Sequence, residues 1–254
     1  EIDTLKSGGK VVISGDIVDD NNKKIETFNG EIFSEVFDKI SSKLTLGDES
    51  DPYSFNEWDD VIFKGYSSVI NGSFSFEFTV PVNIEYNFDK GKINLFATDT
   101  VSFQEAIDYS DFIIGGTSNE YKSDNKGPDL NIYIDDMDFK SGDKVSKSPL
   151  LIVEAYDING INQTSMNSYQ KMVGVIDDTI SVVLNDYFSY NKNDYQSGII
   201  RYPLGNLGVG RHKIEIKVSD NYNNLSSNSV VFIIGDNNRL NIKNVMNFPN
   251  PFSD

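Results

Sequence analysis

The chain has 254 residues and a formal charge of −17, from 22 basic and 39 acidic residues. A surface this acidic repels phosphate backbones and anionic lipid, which argues against nucleic-acid binding and unaided membrane adsorption. At 38% hydrophobic it can build the cores of about two ordinary domains. With no cysteine it can form no disulfide, thiolate metal site or cysteine nucleophile.

Taken in chain order, strand and turn signals dominate. Asp19-Asp20-Asn21-Asn22 reads as a turn, and Asn71-Gly72 as a two-residue hairpin loop. Ser73-Phe74-Ser75-Phe76-Glu77-Phe78-Thr79-Val80 alternates strictly, the mark of a half-buried strand, and Pro81 ends it. Asp89-Lys90-Gly91 reads as another turn, and the stretch from Ser102 to Asp111 as a short helix. The polar run from Asn119 to Pro128 marks a boundary. Beyond it, Leu130, Ile132 and Ile134 alternate with polar residues, and Ser141-Gly142-Asp143 turns the chain. Ile214, Ile216 and Val218 form another alternating stripe, while the continuous run Val230–Ile234 suits a strand buried on both faces. Asp236-Asn237-Asn238 is a last turn. No apolar run reaches the roughly 20 residues of a membrane helix.

Many short strands with regular turns predict an all-β protein of two tandem immunoglobulin-like β-sandwiches. The first is expected over 8–118 and the second over 127–236. Residues 237–254 read as a linker and the first strand of a further β-domain, because each proline of Pro249-Asn250-Pro251 fixes an extended backbone just before the sequence stops. With Glu1 at its start, the chain reads as an internal piece of a longer protein.

Candidate sites are few. His212, the single histidine, opens the stripe of Ile214, Ile216 and Val218 and suits a strand-entry residue bonded to a loop carbonyl. Asp157-Ile158-Asn159-Gly160 begins like a calcium loop, but its twelfth position is Ser168 rather than the bidentate glutamate of an EF-hand. Asp157, Asn159 and Asp220 are therefore weak calcium candidates, and turn capping is the favoured reading. Asp136-Met137-Asp138 fails sooner, at Lys140. Tyr187 and Tyr190, in an aromatic cluster, and Trp58, in a long connection, are weak candidates for stacking on a sugar. Asp59-Asp60 and Asp177-Asp178 are poor acid/base dyads, since neighbours on a strand face opposite ways. No phosphate loop, zinc spacing or nucleophile elbow occurs, and no cofactor beyond a structural calcium is called for.

A series of motifs in fixed order gives a resemblance. It starts with Val12-Ile13-Ser14-Gly15-Asp16, Phe28-Asn29-Gly30-Glu31, Ile62-Phe63-Lys64-Gly65, Asn71-Gly72-Ser73-Phe74 and Ile113-Ile114-Gly115-Gly116. It continues with Asp157-Ile158-Asn159-Gly160, Leu184-Asn185-Asp186-Tyr187, Gly210-Arg211-His212-Lys213 and Val218-Ser219-Asp220-Asn221, and closes with Phe248-Pro249-Asn250-Pro251-Phe252. Over nearly its whole length the chain resembles the C-terminal, non-catalytic region of PorU-type type IX secretion sortases, a gingipain-like cysteine peptidase family of the Bacteroidetes. The resemblance implies an exported parent on the outer-membrane surface. Its upstream Cys–His protease domain would cleave cargo sorting signals and join cargo to lipopolysaccharide. None of those catalytic residues carries over to this chain. What it implies here is a non-enzymatic role: positioning the protease domain, with other secretion proteins or cargo C-terminal signal domains as further partners. The alternative is a carbohydrate-binding or adhesive module.

Overall fold

Period-two alternation becomes strand nearly wherever it occurs. The computed structural model describes residues 4–48, 51–122, 124–164 and 171–235, and within them regular structure is almost entirely β. The first unit holds β1 (Leu5–Ser7), β2 (Lys10–Asp16), β3 (Gly30–Phe37), β4 (Ser41–Leu44), β5 (Ser54–Glu57), β6 (Val61–Ile70), β7 (Ser73–Thr79), β8 (Asp89–Asp99) and β9 (Glu105–Thr117). The second holds β10 (Asp129–Ile134), β11 (Lys144–Val145), β12 (Leu150–Tyr156), β13 (Val173–Ile176), β14 (Ile180–Val183), β15 (Phe188–Tyr190), β16 (Ser197–Pro203), β17 (Gly210–Ser219) and β18 (Leu225–Ile234).

In the second unit a four-stranded sheet, β10-β12-β16-β15, faces a five-stranded one, β11-β18-β17-β13-β14. The first strand splits between the sheets, with β10 antiparallel to β12 and β11 parallel to β18. That is immunoglobulin-like topology. The core lies between the sheets, with Ile132, Leu151, Val153, Ile200, Ile214, Ile216, Val218 and Phe232 all buried. In the run 230–234 only Phe232 and Ile234 are buried, whereas Val231 and Ile233 are half-buried. The strand is thus buried on one face, not two, because the outer face of β18 is not covered.

The first unit makes its sandwich from one seven-stranded sheet, β1-β9-β8-β3-β6-β7-β2, rolled over on itself. Its two edge strands, β1 and β2, are separated in sequence only by Gly8 and Gly9. The chain therefore pairs with β9 on one side and crosses to β7 on the other. Phe74, Phe76 and Phe78 of β7 point inward, as their alternation requires, and Phe63 stacks on the last two at 5.5 and 4.8 Å. Burying each such ring contributes about 1.5–3 kcal/mol. Asn71 and Gly72 form the expected hairpin loop, with φ of 50° and 72° and Ile70 paired with Ser73.

Two expectations fail here. Asp89-Lys90-Gly91 is not a turn but the start of β8. A Cβ at residue 91 would lie 2.6 Å from the Phe112 ring and 2.8 Å from the Phe37 carbonyl, so this glycine serves packing rather than turning. Nor is there a helix in 102–111, where β9 begins at Glu105. The preceding loop is organised by Asp99, whose carboxylate accepts the Val101 and Ser102 N–H groups at 2.8 Å each. These donors and the Asn29 N–H hold its carboxyl below the usual range. The 237–254 segment and the Asp236-Asn237-Asn238 turn lie outside the described residues, as does Ser168.

Candidate functional site

β6 and β7 share only two register pairs, Val69 with Phe74 and Ile70 with Ser73, and then splay apart. Along Val61–Ser68 the backbone of β6 therefore lacks a strand on that side. Loops of the second unit supply its partners instead. The side-chain amide of Gln163 accepts the Lys64 N–H at 2.7 Å and donates to the Lys64 carbonyl at 3.2 Å, much as a neighbouring strand would. Asn193 repeats the device. Its N–H donates to the Tyr66 carbonyl at 3.0 Å, its Oδ1 accepts the Ser68 N–H at 2.7 Å, and its Nδ2 donates to Ser68 Oγ at 2.9 Å. Residues 64, 66 and 68 have one parity, so each bond falls where an edge strand presents its groups.

The rest of the junction is equally dense. The Val82 N–H donates to the Asn221 carbonyl at 2.8 Å. Asn83 donates to Thr164 Oγ1 at 2.7 Å and accepts from Asn162 at 3.2 Å. Asn162, Gln163 and Thr164 are all buried. Tyr190 stacks on Phe63 at 5.6 Å and joins the aromatic column of the first unit. Its hydroxyl donates to the Ile161 carbonyl at 2.6 Å and accepts the Ile161 N–H at 2.8 Å. Burial holds the Tyr190 phenol well above its ordinary pKa.

Behind this contact lie three carboxylates. Asp157 accepts the Asn159 N–H at 2.7 Å. Asp220 accepts the Tyr222 and Asn224 N–H groups at 2.9 and 2.7 Å and the Asn224 side chain at 2.9 Å. Asp124 accepts Asn159 Nδ2 at 2.7 Å and also the Asn224 amide. Burial, then the neighbouring charges of Asp220 and Asp124, pushes the Asp157 carboxyl up to about 6. Burial raises Asp220 as well. These oxygens cap turns through local N–H donors. Among the described residues no group of three or more His, Cys, Asp or Glu side chains is placed to hold a metal ion.

The other sequence candidates lie elsewhere. Tyr187 is 44% exposed and meets Tyr202 edge-on at 4.7 Å, whereas Tyr190 is 6% exposed with its hydroxyl engaged, so the two do not form one platform. Trp58 sits across the first unit, with the Lys92 ammonium 5.1 Å from its ring. Its indole N–H is buried and finds no acceptor among the described residues. His212 Nδ1 faces Asp177 Oδ2 at 2.7 Å and Nε2 faces the Gly208 carbonyl at 2.7 Å. Burial disfavours its charged form, but these two acceptors outweigh it and raise its pKa. Both ring nitrogens thus have partners within the chain. Sequence reading misses Gln163, Asn193, Asn83 and Asn162 because no motif sets isolated amides apart. The splayed hairpin that needs them is visible only in three dimensions.

The architecture defines the class: an all-β segment of two sandwich units joined through buried side-chain amides. Within that class the chain is PorU-like. It is 30% identical to dimeric latent PorU from Porphyromonas gingivalis, with a TM-score of 0.54, over 99% of this chain and 24% of that one. The chain thus spans about a quarter of that PorU's length. Weaker likenesses include the titin Ig tandem domains A164–A165, 11% identical with a TM-score of 0.20 over 91% of this chain and 90% of that one. The CsuC–CsuE chaperone–tip adhesion subunit complex of Acinetobacter baumannii is 7% identical with a TM-score of 0.26, over 92% and 96%. No family model matches the chain, nor does any curated protein. Among the described residues no helix is long and apolar enough to cross a membrane.

Proposed function

We propose that this chain is a non-catalytic segment of a cell-surface type IX secretion sortase, and that it positions a gingipain-like cysteine protease domain in the same polypeptide. The observation that carries the reading is the PorU likeness at 30% identity along 99% of the chain. The junction supports it physically. Two units bolted by buried amide bonds and a shared aromatic column make a stiff spacer, and a spacer holds a neighbouring domain at a fixed distance from its target. The absence of cysteine from the sequence agrees with chemistry located outside this segment. Export and an outer-membrane surface location, with contacts to cargo C-terminal signal domains or other secretion proteins, belong to the same reading.

The test has two arms. The isolated chain, incubated with a sorting-signal substrate, should give no cleavage, and clear turnover would overturn the reading. In the full-length protein, Gln163→Ala with Asn193→Ala should reduce sorting in cells while the protease still cleaves a short peptide. Unchanged sorting in that variant would remove the positioning role.

A further inference from the structure

The rolled sheet of the first unit has a second opening. β1 pairs with β9 only near its end, from Leu5 with Ile114 to Ser7 with Thr117. Along Glu105–Ile113, β9 pairs with β8 on one side and with no described strand on the other. β2 forms the opposite bank of this seam, since among the described strands it pairs with β7 alone. Between the banks lies a groove of about 490 Å³, floored by Ile13, Ile17, Ile93, Leu95, Ala97 and Ala106. Ligand sites commonly occupy about 300–1,000 Å³. Among the described residues, the side chains that bond to this edge belong to β9 itself. Asp108 Oδ1 accepts the Tyr109 N–H at 2.8 Å and Ser110 Oγ donates to the Asp111 carbonyl at 3.3 Å, both in exposed positions. Such local bonds blunt an edge against casual pairing and are displaced easily.

Charge selects the occupant. The edge carries Glu105, Asp108 and Asp111, and Asp16 stands on the opposite bank. Lys90 lies 3.6 Å from Asp111 and Lys24 3.0 Å from Asp16, but among the described residues no salt bridge reaches Glu105 or Asp108. A second copy pairing β9 against β9 about Asp108 would set Asp108 opposite itself and Glu105 opposite Asp111, and like charges directly opposite destabilise a sheet. We propose that the β2/β9 seam binds an extended peptide of alternating apolar and basic residues, which adds a strand to β9. Its apolar side chains enter the groove, and its lysines or arginines, on the other face, meet Glu105 and Asp111. Backbone pairing supplies affinity and the alternation supplies specificity. β1 already shows that this edge accepts a parallel strand. The free stretch is about 30 Å long, enough for an extended segment of about six to eight residues.

The test uses the whole chain and a fluorescent eight-residue peptide of alternating leucine and lysine, read by anisotropy. A control peptide has the same residues with the leucines and lysines in two blocks. Saturable binding should appear for the alternating peptide and weaken at least about tenfold for the blocked one. Ile107→Pro removes an edge N–H at an exposed position, which edge strands tolerate, and should abolish binding with the circular dichroism unchanged. Should that variant unfold, Glu105→Lys with Asp111→Lys gives a second measure, and should weaken binding at least about tenfold. Equal binding of the two peptides, or affinity indifferent to these substitutions, would overturn the proposal as mere attraction to an acidic protein. A dimer in sedimentation that Glu105→Lys with Asp111→Lys strengthens or leaves unchanged, with no peptide binding, would overturn it in favour of a second copy.

Discussion

The first unit's sheet is open in two places, and the two are treated differently. Where β6 parts from β7, the second unit inserts Gln163 and Asn193 and meets the exposed backbone bond for bond. Where β9 parts from β2, only Asp108 and Ser110 bend back over their own strand. The first opening is part-buried at Lys64 and must find partners there, because an unsatisfied buried backbone group costs about 1–3 kcal/mol, whereas its bond from Ser68 to Asn193 is exposed. A wet edge bears no such requirement, since water serves it. The first opening therefore became a permanent joint, and the second remained available.

The sharpest way to break this contrast is to remove the joint. Gln163→Ala with Asn193→Ala leaves the backbone of Lys64 and Ser68 without partners, and Gln163 is only 7% exposed. The pair should destabilise the chain by about 2–4 kcal/mol in urea unfolding, most of it from Gln163, since the Asn193 bonds are exposed. A change below about 1 kcal/mol would mean that water reaches this edge and that the two openings are alike. Tyr190→Phe comes next. It keeps the stack on Phe63 but deprives both backbone groups of Ile161 of a partner, for an expected loss of about 1–3 kcal/mol.

Much of the fold is legible from alternation and turn chemistry. Phe74, Phe76 and Phe78 declare their strand, and Asn71-Gly72 declares its hairpin, because both signals are local. Gly91 misleads because its reason is a non-local one, the Phe112 ring pressed against it. The apparent helix at 102–111 misleads because the Asp99 turn and pairing with β8 override a weak local preference. The joint is the least legible part. Gln163 and Asn193 lie about 100 residues and more from the backbone they serve, and a single amide carries no pattern. Asp157 and Asp220 do stand out in the sequence, with turn capping as the favoured reading, but nothing local places those turns behind a joint.

Those carboxylates give the joint a pH dependence that the seam should lack. The Asp157 carboxyl sits at about 6 against an ordinary value of 3.8, so between these values the folded chain holds a proton that the unfolded chain has lost. Stability contributed by this group therefore rises as pH falls from 7 towards 4. The raised His212 acts in the same direction, its contribution being present below its ordinary 6.5 and lost as pH rises through its folded value. Asp99 and Asp177, both lowered, oppose this below their ordinary 3.8, so stability should peak in mild acid. Asp157→Asn keeps the acceptor for the Asn159 N–H and removes the buried charge. It should stabilise the chain by about 1–2 kcal/mol at pH 7 and by nothing near pH 4. Destabilisation at pH 7 that added calcium reverses in the parent but not in the variant would instead make Asp157 an ion ligand.

The smallest expected effect belongs to the open edge. Asp108→Ala removes the bond to the Tyr109 N–H, yet that group is exposed, so water takes its place. The cost should lie within about 0.5 kcal/mol, the range of ordinary surface changes. Amide exchange gives the same comparison residue by residue. Lys64 should exchange only on unfolding of the joint, whereas Tyr109 should exchange from the folded state, since its N–H is held by a single exposed side chain. Tyr109 should gain protection only when a strand occupies the seam. Protection of Tyr109 in the isolated chain, at the level of Lys64, would mean that the edge is already paired, and the difference between the two openings would disappear.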